Sequence, residues 1–157
     1  MIHECYEKKQ AGLLIEPEAA SVNNPDPDSS IEMDYLQRSR SRGRAVDSGG
    51  DDIAWFLARG GVIADGDVLI SQLGKSIRVV AAKEDVSEVH ASSAALIHAS
   101  YHLGNRHLPL QIGDGWLRYQ RDHVIDEMIG SFGLMVKHVE APFDPEVGAY
   151  HGGHRHE

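Results

Sequence analysis

VSEVHASSAALIHASYHLGNRHLPLQIGDGWLRYQRDHVIDEMIGSFGLMVKHV, residues 86–139, is the stretch whose patterning decides the fold. Residues 86–90 read as a strand. Ser92 and Ser93 offer a cap for a helix from Ala94 to about Gly104, on which Ala95, Leu96, Ala99, Tyr101, His102 and Leu103 mix apolar and imidazole faces. Gly104 reads as its stop signal. Residues 108–112 are strand-like, Gly113-Asp114-Gly115 is a turn, and residues 116–119 are a second strand. Asp122 can cap a second helix from His123 to about Phe132, ended by Gly133, and residues 134–139 are a last strand. The order β-α-β-β-α-β is the ferredoxin-like signature. It sets two helices on one face of an antiparallel sheet and leaves the other face for a second copy to cover. Residues 141–151 leave as an extended segment, and residues 151–157, HGGHRHE, form a flexible tail.

Upstream the periodicity changes. Residues 37–46 alternate arginine with small residues and run into DSGGDD, a strong turn signal. Residues 53–57 form an apolar strand. Val62-Ile63 and residues 67–71 flank Asp65-Gly66, a hairpin dipeptide, and residues 76–82 are β-branched. Short strands with turns every eight to twelve residues predict a small β-meander over residues 36–83. Residues 1–35 carry no firm assignment, since residues 11–15 are a short apolar run and NNPDPDSS at residues 23–30 is loop chemistry. KED at residues 83–85 marks the boundary. The expected class is therefore α+β: a β-rich domain over 1–83, a ferredoxin-like domain over 84–145 and a tail over 146–157. Domains below about 80 residues lean on a partner, a metal or an oligomer, so self-association is expected.

A net charge of −9 argues against general nucleic-acid binding, which needs cationic surface to displace phosphate counterions. It suits cations better. Ten histidines are the compositional outlier, and neutral imidazole is a good ligand for nickel, copper and zinc. The single cysteine, Cys5, cannot form an internal disulfide. The polar N-terminus lacks the apolar core of a signal peptide, and no apolar run approaches the roughly 20 residues of a membrane span. A soluble, cytoplasmic protein is expected.

The strongest chemical constellation is YHLGNRHLP at residues 101–109. His98 and His102 stand at i and i+4, a spacing that lets one helix face hold one metal. Gly104-Asn105 lets the backbone leave the helix, which puts His107 on a turn. A lone histidine is more often a packing or capping residue. Three within ten residues, followed by the tail histidines His151, His154 and His156, weigh as much toward metal binding as against it. Arg38, Arg40, Arg42 and Arg44 alternate strictly, so a strand would show all four on one face. That stripe could bind RNA; the plainer readings are a solvated face paired with carboxylates or a docking surface for an acidic protein partner. The absence of interleaved aromatics favours the plainer readings over RNA. No GxSxG, Walker loop, HExxH or GxGxxG occurs, and Cys5 has no base beside it in sequence, so no enzyme is read here.

With these residues in view, YHLGNRHLPLQI, WLRYQRDHVIDEM and FGLMVKHVEAPFDPEVGAYHGGH closely resemble the C-terminal half of urease accessory proteins of the UreE family. GNRH-x-P-x-Q, LRY-x-x-DHV and APF-x-PE-x-GAY recur in order. QRSRSRGRAV and GGVIADGDVLI resemble the N-terminal half, so the likeness spans about residues 36–154. It implies a two-domain homodimer, joined through the second domain, that carries Ni(II) to urease and hands it to the GTPase UreG. It implies that the histidine of GNRH, here His107, meets its partner copy at the dimer axis to bind nickel. It also implies a further metal at the DHV histidine, His123, although Arg121 replaces a histidine that some members carry two residues earlier. The tail is a sparse version of the family's histidine-rich one. His102 joins the candidate ligands on spacing alone, and Zn(II) and Cu(II) are further cations such a set accepts. The alternative is a nucleic-acid- or protein-binding module that uses the arginine stripe.

Overall fold

The computed structural model describes residues 1–9 and 26–147, and the chain divides into two compact units, Met1–Ala81 and Ala82–Glu157. The division precedes KED, because the first strand of the second unit already starts at Lys83.

The first unit holds β1 (Ile2–Lys9), β2 (Ser29–Met33), the short helix α1 (Tyr35–Arg38), β3 (Arg42–Val46), β4 (Asp52–Phe56), β5 (Val68–Ser71) and β6 (Ser76–Ala81). Its sheet runs β2-β6-β5-β1-β4-β3 and is not a meander. The β3–β4 and β5–β6 hairpins are present, but β1 inserts between them, parallel to β4 and antiparallel to β5. β2 joins the far edge parallel to β6. Cys5 on β1 is fully buried with Ile31, Met33, Ile53, Trp55 and Leu69 in one apolar core. The N-terminal segment is thus the middle of the sheet, held there by its ladders to β4 and β5, by burial of Cys5 and by Lys8, whose Nζ donates to the Val62 carbonyl (2.6 Å) and to Asp67 (2.7 Å).

Three local expectations change. The arginine repeat does not run as one strand, because Asp34 caps α1 through a reciprocal capping box with Gln37, and the chain enters β3 only at Arg42. Val62-Ile63 is not a strand. The Ile63 amide donates to the Arg38 carbonyl (2.9 Å) and Arg38 Nη1 donates to the Ile63 carbonyl (3.0 Å), so this segment pairs with the end of α1. Asp65-Gly66 forms a turn with Gly66 at φ 83°, but no hairpin strand precedes it.

The second unit runs β7 (Lys83–His90), α2 (Ser93–Gly104), β8 (Gln111–Gly113), β9 (Trp116–Gln120), α3 (His123–Ser131) and β10 (Val136–Pro142). All neighbours in its sheet, ordered β10-β7-β9-β8, are antiparallel. Leu96, Ala99 and Leu103 of α2 and Ile125 and Ile129 of α3 pack with Val89, Leu117 and Tyr119 of the sheet. Ser92 caps α2 at the Ala95 amide, and Asp122 caps α3 at the Val124 and Ile125 amides. β8 is shorter than expected: Leu108 and Leu110 pack on the core from a non-strand segment. β10 runs further, taking in Ala141 and Pro142, which sequence reading had released from the fold. Gly113 lies so close to the Trp116 indole that a Cβ there would stand 2.1 Å from Cε2, so this turn requires glycine.

Candidate metal centre

The C-terminus of α2 positions the first candidate ligand. The helix continues through Gly104, so that glycine is not the stop. Instead the His107 amide donates to the Gly104 carbonyl (2.9 Å) and the Leu108 amide donates to the Leu103 carbonyl (3.4 Å). These 5→2 and 6→1 bonds are the Schellman motif, with His107 at C′. Leu108 and Leu103 both join the apolar core, the hydrophobic partnership that usually accompanies this cap. C′ is normally glycine, because it needs a left-handed backbone. Here φ at His107 is 57°, and among the described residues every other positive φ belongs to glycine. A side chain at such a position costs about 1–2 kcal/mol. The ring is exposed, and among the described residues no hydrogen bond holds it. His107 is thus an exposed imidazole at a position that glycine would occupy more easily, with no hydrogen-bonding use inside its own unit among the described residues.

One turn back, His98 and His102 face each other. Their Nε2 atoms are 3.3 Å apart and their ring centroids 4.6 Å apart. Phe132, the C-cap of α3, lies 4.9 Å from both rings, edge-on to His98 and tilted against His102. The predicted i, i+4 partnership is therefore a real contact, although His102 also packs.

His123 is the first residue of α3, exposed and directly after the Asp122 cap. The remaining described histidines are engaged with carboxylates. His138 Nε2 lies 2.7 Å from Asp126 Oδ2, whose other oxygen accepts from the Tyr119 hydroxyl at 2.8 Å. Burial would raise the Asp126 carboxyl, but the nearby Ser87 hydroxyl and the bonds from His138 and Tyr119 overcome it and hold it below its usual range. His90 sits 2.6 Å from Glu88, which also receives Arg118. Asp126 and His138 lie on different elements and share no local spacing, so no sequence pattern signals that pair, whereas Glu88 and His90 stand at i and i+2 on β7, a strand-face spacing that could have signalled theirs. Among the described residues no three His, Cys, Asp or Glu side chains converge as a metal cage. His151, His154 and His156 lie outside the described residues.

The arginine stripe does not exist as a surface. Arg38 is fully buried, its guanidinium 5.8 Å from the Tyr35 ring, and Arg40 lies in the connection to β3. Only Arg42 and Arg44 share a strand, and Arg44 pairs with Asp52 at 3.0 Å. Cys5 is buried, and desolvation pushes its thiol up to about 11, which leaves it protonated and inert as a nucleophile. No helix among the described residues is long and apolar enough to cross a membrane.

Two compact units, the second with exposed histidines at the end of one helix and the start of the other, define a two-domain histidine-bearing protein, and comparison with known proteins gives that class its particular form. The model of the UreE urease accessory protein N-terminal domain matches residues 14–82, and that of the C-terminal domain matches residues 84–157. The N-terminal match reaches well upstream of the quoted motifs. The urease accessory protein UreE of Teredinibacter turnerae is 44% identical over 150 residues, covering 95% of this chain and 91% of its own length. Those of Saccharophagus degradans and Azotobacter vinelandii are 46% and 47% identical, covering 85% and 84% of this chain and 80% and 81% of their own lengths. The chain belongs to the UreE family of urease accessory proteins.

Proposed function

We propose that the chain is a cytoplasmic nickel metallochaperone, not an enzyme, that delivers Ni(II) for assembly of the urease active site. Its domains are a β-rich unit over 1–83, a ferredoxin-like metal-binding unit over 84–145 and a histidine-containing tail over 146–157. The antiparallel order β10-β7-β9-β8, with α2 and α3 as the two crossovers, supports the ferredoxin-like assignment. The chain works as a homodimer with urease and its accessory proteins, including the GTPase UreG, and it uses neither nucleic acid nor membrane.

The observation that carries this reading is His107 at the C′ position of α2, exposed and in a left-handed backbone that glycine would hold more cheaply. One imidazole is a poor site. A two-fold axis beside it supplies a second, since an isologous contact repeats every residue of the patch. The shared site is open, which suits an ion that must leave again. His123 and the tail residues His151, His154 and His156 are the secondary ligands, with His102 as a further candidate. Imidazole ligands also accept Zn(II) and Cu(II), and the Irving–Williams order favours copper, so preference for nickel rests on supply and on partners.

Native mass spectrometry with and without nickel tests the reading, because stoichiometry and oligomeric state are read together. The expected species is a dimer that takes up one tightly held ion, and His107→Ala is a dimer without it. A monomeric chain, or a His107→Ala dimer that still holds the ion, overturns the shared site.

A further inference from the structure

We infer that His98 and His102 form a second cation site, a two-imidazole clamp on α2 that each chain completes alone. The chemical class it takes is a borderline divalent transition cation, with Cu(II) the tightest. This inference goes beyond the dimer-shared site and assigns His102 to a different ion from His107.

The geometry points there for three reasons. First, two nitrogens bound to one ion at 2.0–2.1 Å stand about 2.9–3.4 Å apart for square to tetrahedral angles. The observed Nε2 separation of 3.3 Å falls inside that span. A small swing of the rings replaces their mutual hydrogen bond by two metal bonds. Second, the pair is built on a rigid element. Ala99 and Leu103, between and beside the two histidines, are fully buried in the core, so α2 cannot easily turn its histidine face away. Third, Phe132 backs both rings at 4.9 Å, restricting their rotamers from one side while His98 stays exposed on the other. Ligands restricted before binding lose less freedom on binding. Water completes the coordination.

The competing account is that the two rings merely hydrogen-bond and pack. The two accounts differ in additivity. The test is equilibrium dialysis of the full chain against Cu(II) alone at neutral pH. The variants are His98→Phe, His102→Phe and the double variant, since phenylalanine keeps the ring packing on Phe132 and removes the nitrogen. His98→Gln and His102→Gln repeat the test with a polar side chain, and circular dichroism checks the fold of each. The expected result is that each single variant loses one copper per chain and the double variant also loses only one, because the two nitrogens serve one ion. His107→Ala should remove its own ion and leave the His98 effect intact. The clamp is overturned if His98→Phe and His98→Gln keep the parent stoichiometry, if only one of the two positions matters, or if the double variant loses two ions. Loss of the His107 ion alone with an unchanged clamp, or the reverse, separates failure of this inference from failure of the nickel site.

Discussion

Replacing His107 by glycine separates stability from metal binding in a way that replacing it by alanine does not. At φ 57° any residue with a Cβ is strained, so alanine inherits the cost that histidine bears. Glycine is free of it, a gain of about 1–2 kcal/mol in the folded state. Against that stands the extra freedom of glycine in the unfolded chain, about 0.4–1 kcal/mol. The Schellman bonds at Gly104 and Leu103 use main-chain atoms and survive either change. His107→Gly should therefore leave the metal-free protein as stable as the parent or more stable by about 1 kcal/mol, whereas His107→Ala should be near neutral. Both should lose the tightest nickel site. The assay is urea unfolding with a chelator present at fixed protein concentration, because the midpoint of a chain that self-associates, as proposed, would move with concentration. Calorimetry with nickel on the same samples completes it. A glycine variant less stable than the parent by more than about 1 kcal/mol would refute the reasoning, since the ring would then be holding the fold. A glycine variant that binds nickel normally would refute it from the other side.

Four further outcomes are expected. Lys75→Met should destabilise the first unit by about 1–3 kcal/mol, because Lys75 Nζ holds both Asp47 (2.6 Å) and Asp51 (2.6 Å) and its loss leaves the buried Asp47 carboxylate with only the neutral donors Ser29 and the Gly49 and Asp51 amides; thermal unfolding reads it, and a change within error would mean that those donors suffice. Burial would raise the Asp47 carboxyl, but bonds from Lys75, Ser29 and the Asp51 amide hold it well below its usual range, so its stabilisation is complete above about pH 4, the value of the free side chain, and is lost as pH falls below that; a pH series of urea midpoints should show the fall in the parent and a smaller one in Lys75→Met. Gly43→Ala should cost roughly 1–3 kcal/mol, since a Cβ would stand 2.1 Å from the Trp55 ring on the paired strand, and a stable variant would mean that the indole can move. Nickel affinity should fall as pH drops through the imidazole range near about 6.5, where coordination competes with protons; a flat titration would point to carboxylate ligands.

Reading along the chain, the second unit was nearly legible and the first was not. Ser92, Asp122 and Gly133 mark element ends by chemistry that acts over three or four residues: both helices start directly after their caps, and Gly133 follows the Phe132 C-cap of α3, whereas the end of α2 is set past Gly104. The i, i+4 spacing of His98 and His102 is likewise local, so their contact follows from helical geometry. β1 carries no such signal. Its place between β4 and β5 depends on burying Cys5 against strands some fifty and seventy positions away, which no window along the sequence contains. The arginine alternation misled for the matching reason: its period of two says strand, but Asp34 and Gln37 close a capping box just before it, and burial of Arg38 against Ile63 settles the competition in favour of a helical turn. His107 lies between these cases. Its residue type and its place after a helix could be read from GNRH, which local chemistry dictates. That it takes the left-handed position a glycine normally holds, while Gly104 three residues earlier stays helical, was settled only when Leu103 and Leu108 packed into the same core and closed the cap around it.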